Sequence, residues 1–223
     1  MSILSNLDLI RRVPLFSSLT PTQAQFVADA VTKQRYRRGD VIVEQGKKSG
    51  FLAILLTGRA RVLTSDERGR EVFLATLHPG DHLGEMSLID NQPHSATVRA
   101  DIQTDVLLLG RTEFARCLPE NNAMAYAIMK GLVQRLRQAD RKIESLALMD
   151  VYGRVARALT DLAVEQAPGQ WVIAGKVSRQ ELAKMIGASR EMVSRVFKDL
   201  EDRGFIEVQA DGRTLVHDRL LRP

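Results

Sequence analysis

The chain has 223 residues, 44% hydrophobic and 26% charged, which are ordinary values for a soluble globular protein with room for two domains. Its formal net charge of +5 permits an anionic partner without identifying one. The N-terminal stretch MSILSNLDLIRRVPLF lacks a long apolar core, and no window approaches the ~20 apolar residues of a membrane-spanning helix. We therefore expect a cytoplasmic protein. The single cysteine excludes an intramolecular disulfide and a cluster held by several thiolates of one chain.

The first half of the chain changes from a helical to a β-type pattern. Residues 6–33 carry apolar groups at helical spacing and are interrupted by Pro14 and Pro21, which predicts short helices. From Tyr36 onward, glycines separate short runs rich in Val, Leu, Ile and Thr. These runs are DVIVEQG, FLAILLTGRARVLT, EVFLATLHPGD, SATVRA and TDVLLLG. The series is typical of a sandwich, jelly roll or barrel, and it predicts an all-β region over residues 36–110.

A long helix is predicted next, over residues 121–149, which contain no proline and only one glycine, Gly131. At ~1.5 Å per residue it would run about 40 Å. Apolar residues recur at steps close to the heptad spacing of a coiled coil. This predicted seam consists of Ile128, Leu132, Leu136, Ala139, Ile143 and Leu146. The helix could pack on its own domain, but we favour pairing with a second copy in a parallel homodimer.

The segment DVYGRVARALTDLAVEQ continues the helical pattern, and GQWVIAGKV then predicts a short strand. The following stretch, SRQELAKMIGASREMVSRVFK, has the spacing of a helix-turn-helix. Ala183 is small where two helices cross, Gly187 suits the tight turn between them, and Val193 packs the second helix on the first. Ser178, with Glu181 three residues later, predicts a capping box on the first helix. Ser189 is placed to cap the second helix.

The second of these helices carries polar groups near its N-terminus, the end that a helix-turn-helix places in the DNA major groove. Arginine can bind guanine O6 and N7, and glutamate can accept from cytosine N4. The candidate DNA-binding residues are Ser178, Arg179, Ser189, Arg190, Glu191, Ser194, Arg195 and Lys198. A charged, solvated helix face is the alternative. It is less favoured because FIEVQADGRTLVHD forms a predicted hairpin around Asp211-Gly212, the wing of a winged helix-turn-helix.

This arrangement resembles the family of bacterial regulators typified by the cyclic-AMP receptor protein and Fnr, over essentially the whole chain. The motifs that carry the resemblance are GEMSLIDNQPHSATVRA, LALMDVYGRVARAL and SRQELAKMIGASREMVSRVFKDLEDRGFI. It implies an α+β fold: a cyclic-nucleotide-binding-type β jelly roll in residues 1–120, a dimerisation helix in 121–149 and a winged helix-turn-helix in 150–223. It also implies a homodimer that binds double-stranded DNA and contacts RNA polymerase, with no membrane. The set Arg190, Glu191 and Arg195 implies a palindrome with TGTGA-like half-sites.

The resemblance makes GEMSLIDNQPHSATVRA the phosphate-binding cassette of the β-domain. In members that bind cyclic AMP, Gly-Glu contacts the ribose and Arg-Ser-Ala holds the cyclic phosphate. Here Gly84 and Glu85 match, as do Ser95 and Ala96, but His94 stands in place of the arginine. Arginine is always charged and offers a planar fork of donors, whereas neutral histidine offers one N–H. The sequence therefore predicts weakened cyclic-AMP binding.

A second departure points the same way, because Ala139 and Asp140 stand where cyclic-AMP binders carry Thr-Ser to read the adenine. The arginines at positions 59, 61, 99 and 135 could instead supply charge to a larger anion such as cyclic di-GMP. Ordinary solvation of those arginines, and a structural role for His94, are the alternatives. The candidate effector-binding residues are Gly84, Glu85, Met86, His94, Ser95, Ala96, Arg135 and Asp140.

No nucleophile–base arrangement, phosphate-binding loop or metal-ligand cluster can be defended, so we expect neither an enzyme nor a metal site. The leading hypothesis is a dimeric transcription regulator controlled by a small anion, with a cyclic nucleotide or cyclic di-GMP as candidate effector. A constitutive DNA-binding regulator with a ligand-free β-domain is the second hypothesis. A module whose helix-turn-helix mediates protein contacts is the third, and Arg190, Glu191 and Arg195 argue against it.

Overall fold

The computed structural model describes residues 5–17, 19–120, 122–217 and 220, without the side chains of residues 12, 117–120, 122 and 123. The chain divides into two compact units, residues 1–136 and 137–223. Within the described residues, no helix has the length and apolar character needed to cross a membrane.

The first unit is built on two four-stranded antiparallel sheets, ordered β1-β8-β3-β6 and β2-β7-β4-β5. The strands are β1 (Thr32–Tyr36), β2 (Val41–Val43), β3 (Phe51–Thr57), β4 (Ala60–Ser65), β5 (Glu71–Leu77), β6 (His82–Leu83), β7 (Thr97–Ala100) and β8 (Thr104–Gly110). Leu55 and Val106 of one sheet share a buried core with Ala60 and Val98 of the other. The predicted β-domain is confirmed.

Helices cover the other face of the first sheet. They are α1 (Asn6–Arg12), a 3-10 turn (Pro14–Phe16), α2 (Pro21–Ala30), α3 (Glu85–Asp90), α4 (Arg111–Glu120) and the first part of α5 (Asn122–Leu148). Leu52 and Ile54 of β3 pack in this helical core, while Ala53 and Leu55 face the second sheet. Burial on both faces explains why FLAILL is a continuous apolar run and does not alternate.

Three elements differ from the sequence prediction. The β-region starts at Thr32, because β1 is an edge strand with four of its five residues exposed and therefore has no apolar alternation. Residues 85–90, which lie inside the predicted all-β region, form the short helix α3. The predicted helix over residues 150–166 ends at Leu162. Residues 164–167 are an exposed edge strand, in which Val164 pairs with Val172.

The long helix α5 faces its own domain over its first turns. Met124 and Ile128 are buried in the helical core of the first unit, and Leu132 packs against that core. This corrects the predicted seam, since Ile128 is 2% exposed in the single chain and offers no surface to a second one. Heptad spacing indicates an apolar stripe but does not indicate which partner covers it.

The exposed apolar stripe of α5 lies on a different side of the helix. It comprises Met129, Val133, Leu136 and Ile143, which are 49–64% exposed. Leu146, at the end of the predicted seam, is 55% exposed, and Ala139 is also exposed. The steps from Met129 to Ile143 are four, three and seven residues, which places all four on one coiled-coil seam.

The second unit has three further helices and a four-stranded sheet ordered β11-β12-β10-β9. The elements are α6 (Val151–Leu162), β9 (Val164–Ala167), β10 (Gln170–Ile173), α7 (Arg179–Ile186), α8 (Arg190–Asp202), β11 (Ile206–Val208) and β12 (Thr214–Val216). Leu159, Leu182, Val193 and Phe197 are at most 1% exposed and form the centre of its core. The predicted hairpin is present, with Ile206 opposite Val216.

Candidate DNA interface and effector site

The helix-turn-helix is set by three local features that the sequence predicts. The Ser178 side chain accepts from the Glu181 N–H at 3.3 Å and caps α7, and the Ser189 side chain accepts from the Met192 N–H at 3.2 Å and caps α8. Gly187 ends α7 with φ of 65°, the left-handed conformation that favours glycine. Val193 is fully buried in the core that Ala183 shares. The turn and the shared core therefore hold α8 against α7.

Charged groups cover the solvent face of α8. Arg190, Glu191, Arg195 and Lys198 are exposed, and Ser194 is half-buried, with its hydroxyl donating to the Arg190 carbonyl at 2.8 Å. The pKa of Glu191 is lowered by its own backbone N–H, by the Ser189 hydroxyl and by the neighbouring arginines. An ionised carboxylate between two guanidinium groups can accept from a base amino group while the arginines bind base acceptors or phosphate.

Arg179, a candidate DNA-binding cation, is held by two contacts within the chain. Its guanidinium carbon lies 3.1 Å from the centroid of the Phe197 ring, and it donates to the Val177 carbonyl at 2.9 Å. Burial lowers the pKa of the Arg179 guanidinium, whereas the nearby carboxylate of Glu201 raises it. Because stacking fixes its plane at the start of α7, Arg179 is suited to a single backbone phosphate and not to reading a base edge.

The cassette of the β-domain begins with a turn that requires glycine, followed by a buried acid. Gly84 has φ of 89°, and a Cβ there would lie 2.7 Å from the Phe51 carbonyl oxygen, so only glycine fits. Glu85 follows at the start of α3, 1% exposed, with Oε1 2.5 Å from Nη1 of Arg135. Arg135 also donates to the His82 carbonyl. The structure thus brings three predicted effector-site residues, Gly84, Glu85 and Arg135, to one place.

His94 is buried and bonded within the chain. Its Nε2 lies 2.8 Å from Ser49 Oγ. Its backbone N–H donates to the Lys47 carbonyl, and its backbone carbonyl accepts from the Gly46 N–H. Burial lowers the pKa of the imidazole, although Glu85 acts in the opposite direction. No sequence pattern indicates Ser49 as the partner of His94, because the two residues are 45 positions apart. A neutral histidine with this partner has little attraction for a phosphate.

The other three arginines that the sequence offers as anion-binding groups are paired with carboxylates. Arg59 and Arg61 both contact Asp101, at 2.5 and 3.0 Å, and Arg99 contacts Glu71 at 3.2 Å. Each arginine side chain is 36–47% exposed, so water screens these pairs and an incoming anion can still compete for them. Asp101 is shared by two arginines, so these three positive groups face two carboxylates.

The other predicted effector residues are more open. Met86 is 47% exposed, Ser95 is exposed, and Ala96 is half-buried at the entry to β7. Asp140 is exposed on α5 and belongs to the second unit. Contacts within the chain therefore fix Glu85, His94 and Arg135, but not the four other side chains of the set.

Comparison with known proteins agrees with the two kinds of domain. The family model of the cyclic nucleotide-binding domain matches residues 33–121, and that of the Crp-like helix-turn-helix domain matches residues 153–220. The chain is 34% identical over 193 residues to the cAMP-activated global transcriptional regulator Vfr of Pseudomonas aeruginosa, covering 82% of this chain and 88% of Vfr. It is 32% identical over 195 residues to the cyclic AMP receptor protein of Thermus thermophilus, covering 87% and 88% of the two chains.

Among solved structures, the c-di-GMP responsive global regulator CLP of Xanthomonas campestris superimposes with a TM-score of 0.76 at 27% identity, covering 89% of this chain and 99% of CLP. The two matched domains, their order along the chain and the level of identity agree. This chain belongs to the Crp/Fnr family of transcription regulators, with a cyclic nucleotide-binding domain followed by a Crp-like helix-turn-helix.

Proposed function

We propose that this chain acts as a homodimer that binds palindromic DNA and is controlled by a small anionic effector in its β-domain, a cyclic nucleotide or cyclic di-GMP. The observation that carries the DNA-binding part is the charged N-terminal half of α8, capped by Ser189 and held on α7 through Gly187. The proposal includes contact with RNA polymerase and no enzymatic reaction. The names of the regulators to which the chain is similar support it.

For the DNA target, we propose half-sites of the TGTGA type. The support is the set Arg190, Glu191 and Arg195, exposed along one end of α8. Two arginines can each bind a guanine, and an ionised Glu191 between them can accept from a cytosine amino group. In a two-fold dimer the two α8 helices would enter major grooves about 34 Å apart, so the half-sites would be centred 10–10.5 base pairs apart or a multiple of that distance.

The dimer is supported by the exposed stripe of α5. Met129, Val133, Leu136 and Ile143 are large apolar side chains left to solvent at coiled-coil spacing. A second copy of the same helix covers such a stripe with an identical one, which is the self-complementarity that a two-fold interface requires.

For the effector, the cassette favours an anion that does not depend on an arginine at position 94. Glu85 and Arg135 are in place for hydroxyl and charged groups, while His94 is neutral and bonded to Ser49. CLP, at 27% identity, is named as responsive to c-di-GMP, whereas Vfr is named as activated by cAMP. Histidine in place of arginine at position 94 favours c-di-GMP over cAMP as the effector.

A second candidate is a constitutive regulator whose β-domain is a ligand-free scaffold. It is favoured by the internal partners of the candidate anion-binding groups: Ser49 for His94, and carboxylates for Arg59, Arg61 and Arg99. A domain that satisfies these groups by itself needs no ligand to complete its fold.

Gel-shift titration on a TGTGA palindrome, with and without cyclic AMP, cyclic GMP or cyclic di-GMP, separates the two candidates. We expect one nucleotide to change the affinity for DNA. Equal affinity in all four conditions would favour the scaffold. Arg195→Ala should relax preference at one guanine, and Arg203→Ala, the same charge change at the far end of α8, serves as its control. Failure of every variant and ligand to give a specific shift would refute both candidates.

A further inference from the structure

The one glycine of α5 faces a histidine ring. Glycine inside a helix reduces its stability, so Gly131 calls for a packing reason. A Cβ added at Gly131 would lie 3.0 Å from Cε1 and 3.3 Å from Nε2 of His82, closer than the ~3.5–4.0 Å of a relaxed carbon contact. The ring of His82 therefore occupies the space that an alanine methyl group would need.

His82 is enclosed, and the described part of the chain offers no hydrogen-bond partner to one of its two ring nitrogens. It lies in β6 opposite Ile54 of β3 and is 8% exposed. Its Nε2 has no hydrogen-bond partner among the described residues, and burial lowers its pKa. The buried ring is therefore neutral at physiological pH, which suits direct contact with the backbone of a helix.

One helical turn beyond Gly131, Arg135 makes the second contact between α5 and the same strand. It donates to the backbone carbonyl of His82 and forms an ion pair with Glu85. Residues four apart lie on one helix face, so both contacts meet the β-domain side by side. The His82 ring against Gly131 limits how closely α5 approaches the β-domain. The contacts of Arg135 determine which groups of the cassette the helix reaches.

We propose that His82 is a positioning residue, whose neutral ring seated on Gly131 sets the distance of α5 from the cassette and so places Arg135 on Glu85. The groups that face His82 are Asp81 on its own turn, Glu85 at the start of α3 and Arg135 on α5. A proton on His82 would attract Glu85 and repel Arg135, and would therefore weaken the pair between them. Acid loosens α5 from the cassette by this route. The link to effector binding rests on the proposed function, whereas the contact itself does not.

Hydrogen exchange of the full-length protein tests the contact through peptides covering residues 122–136. Gly131→Ala should speed exchange roughly fivefold although alanine is the better helix former, because the methyl group displaces the His82 ring. His82→Ala removes the ring, so adding it to Gly131→Ala should recover protection relative to Gly131→Ala alone. Gln134→Ala, an exposed position on the same helix, should not speed exchange. Additive effects of the two changes would overturn the proposal.

The pH profile separates positioning from simple packing. With intrinsic exchange rates corrected, wild-type peptides should lose protection as the pH falls below about 6.5, the usual pKa of histidine, towards the lower pKa of buried His82. His82→Phe keeps a ring on Gly131 but cannot titrate, so its profile should be flat over this range. His78→Gln, at an exposed histidine nearby, should retain the wild-type profile. A pH-dependent loss that persists in His82→Phe would also overturn the proposal.

Calorimetric titration of the same variants with cyclic di-GMP and cyclic AMP distinguishes this inference from the proposed function. If neither nucleotide binds wild type while Gly131 and His82 are coupled in exchange, the effector assignment fails and the positioning contact stands. If a nucleotide binds, Gly131→Ala should weaken it several-fold through misplacement of Arg135.

Discussion

Restoring arginine at position 94 is the sharpest test of the effector site. In wild type, the His94 Nε2 is bonded to Ser49 Oγ at 2.8 Å, and burial lowers the pKa of the ring, so the ring is neutral at pH 7.5. His94→Arg introduces a fixed charge with a planar fork of donors at the position where the family holds a phosphate. We therefore expect the variant to bind cyclic AMP more tightly than wild type.

The size of the gain follows from the surroundings of His94. A desolvated, hydrogen-bonded charge pair is worth about 2–5 kcal/mol, or some 30- to several-thousand-fold in affinity. Here the new guanidinium must enter a buried position and leaves Ser49 without its partner, and both effects reduce the gain. The lower end, about 30-fold, is therefore the expected result at pH 7.5.

The pH dependence has a definite sign. An anionic ligand binds better to protonated His94, and because the pKa of His94 lies below 6.5, wild-type affinity should rise only as the pH falls below about 6.5. The arginine variant should lack this rise. Calorimetric titration of cyclic AMP at pH 7.5 and pH 5.5 measures both effects, with His78→Arg as a control for added charge at an exposed histidine. Micromolar or tighter binding by wild type at pH 7.5, or no gain in His94→Arg, would refute the reasoning.

Three further predictions concern the second unit and the dimer. Arg195→Ala should cost about 1–3 kcal/mol in binding to the palindrome and relax preference at one guanine, as measured by binding to singly substituted sites. Leu136→Glu with Ile143→Glu should give a sedimenting monomer because the change places four like charges in the seam, whereas Leu148→Glu, off the stripe, should remain dimeric. Ser189→Ala should reduce the free energy of unfolding by about 0.5–2 kcal/mol in urea, since the Met192 N–H loses its cap; an unchanged midpoint would contradict the assigned cap.

The helix-turn-helix was predictable because its determinants are local. Ser178, Gly187 and Ser189 each act on backbone groups within three or four residues, so their spacing in the sequence carries the geometry. The short helix α3 was not predictable, because it has six residues and its N-cap, Gly84, has no side chain to signal it. The predicted β-region began at Tyr36 and so missed most of the edge strand β1, because its exposed residues show no alternation of apolar and polar side chains.

The candidate effector site was predictable only in part, for a related reason. Motif resemblance located Glu85 and His94, but their partners lie far along the chain: Arg135 is 50 residues from Glu85, and Ser49 is 45 residues from His94. No periodicity links such pairs, and only the folded chain shows that an ion pair and a hydroxyl satisfy them. The same holds for His82, whose contact with Gly131 explains a glycine that the helical pattern leaves unexplained.

The two faces of α5 show where Asp140, which departs from the family pattern, lies relative to the exposed stripe. Gly131 and Arg135 face the β-domain, whereas Met129, Val133 and Leu136 are exposed on another side. Asp140 follows Leu136 by four residues and precedes Ile143 by three, so it continues that exposed stripe at heptad spacing. In the proposed parallel dimer, each Asp140 would therefore meet its counterpart. A polar residue within a seam fixes register at a cost in stability, and two carboxylates raise that cost unless a donor lies between them.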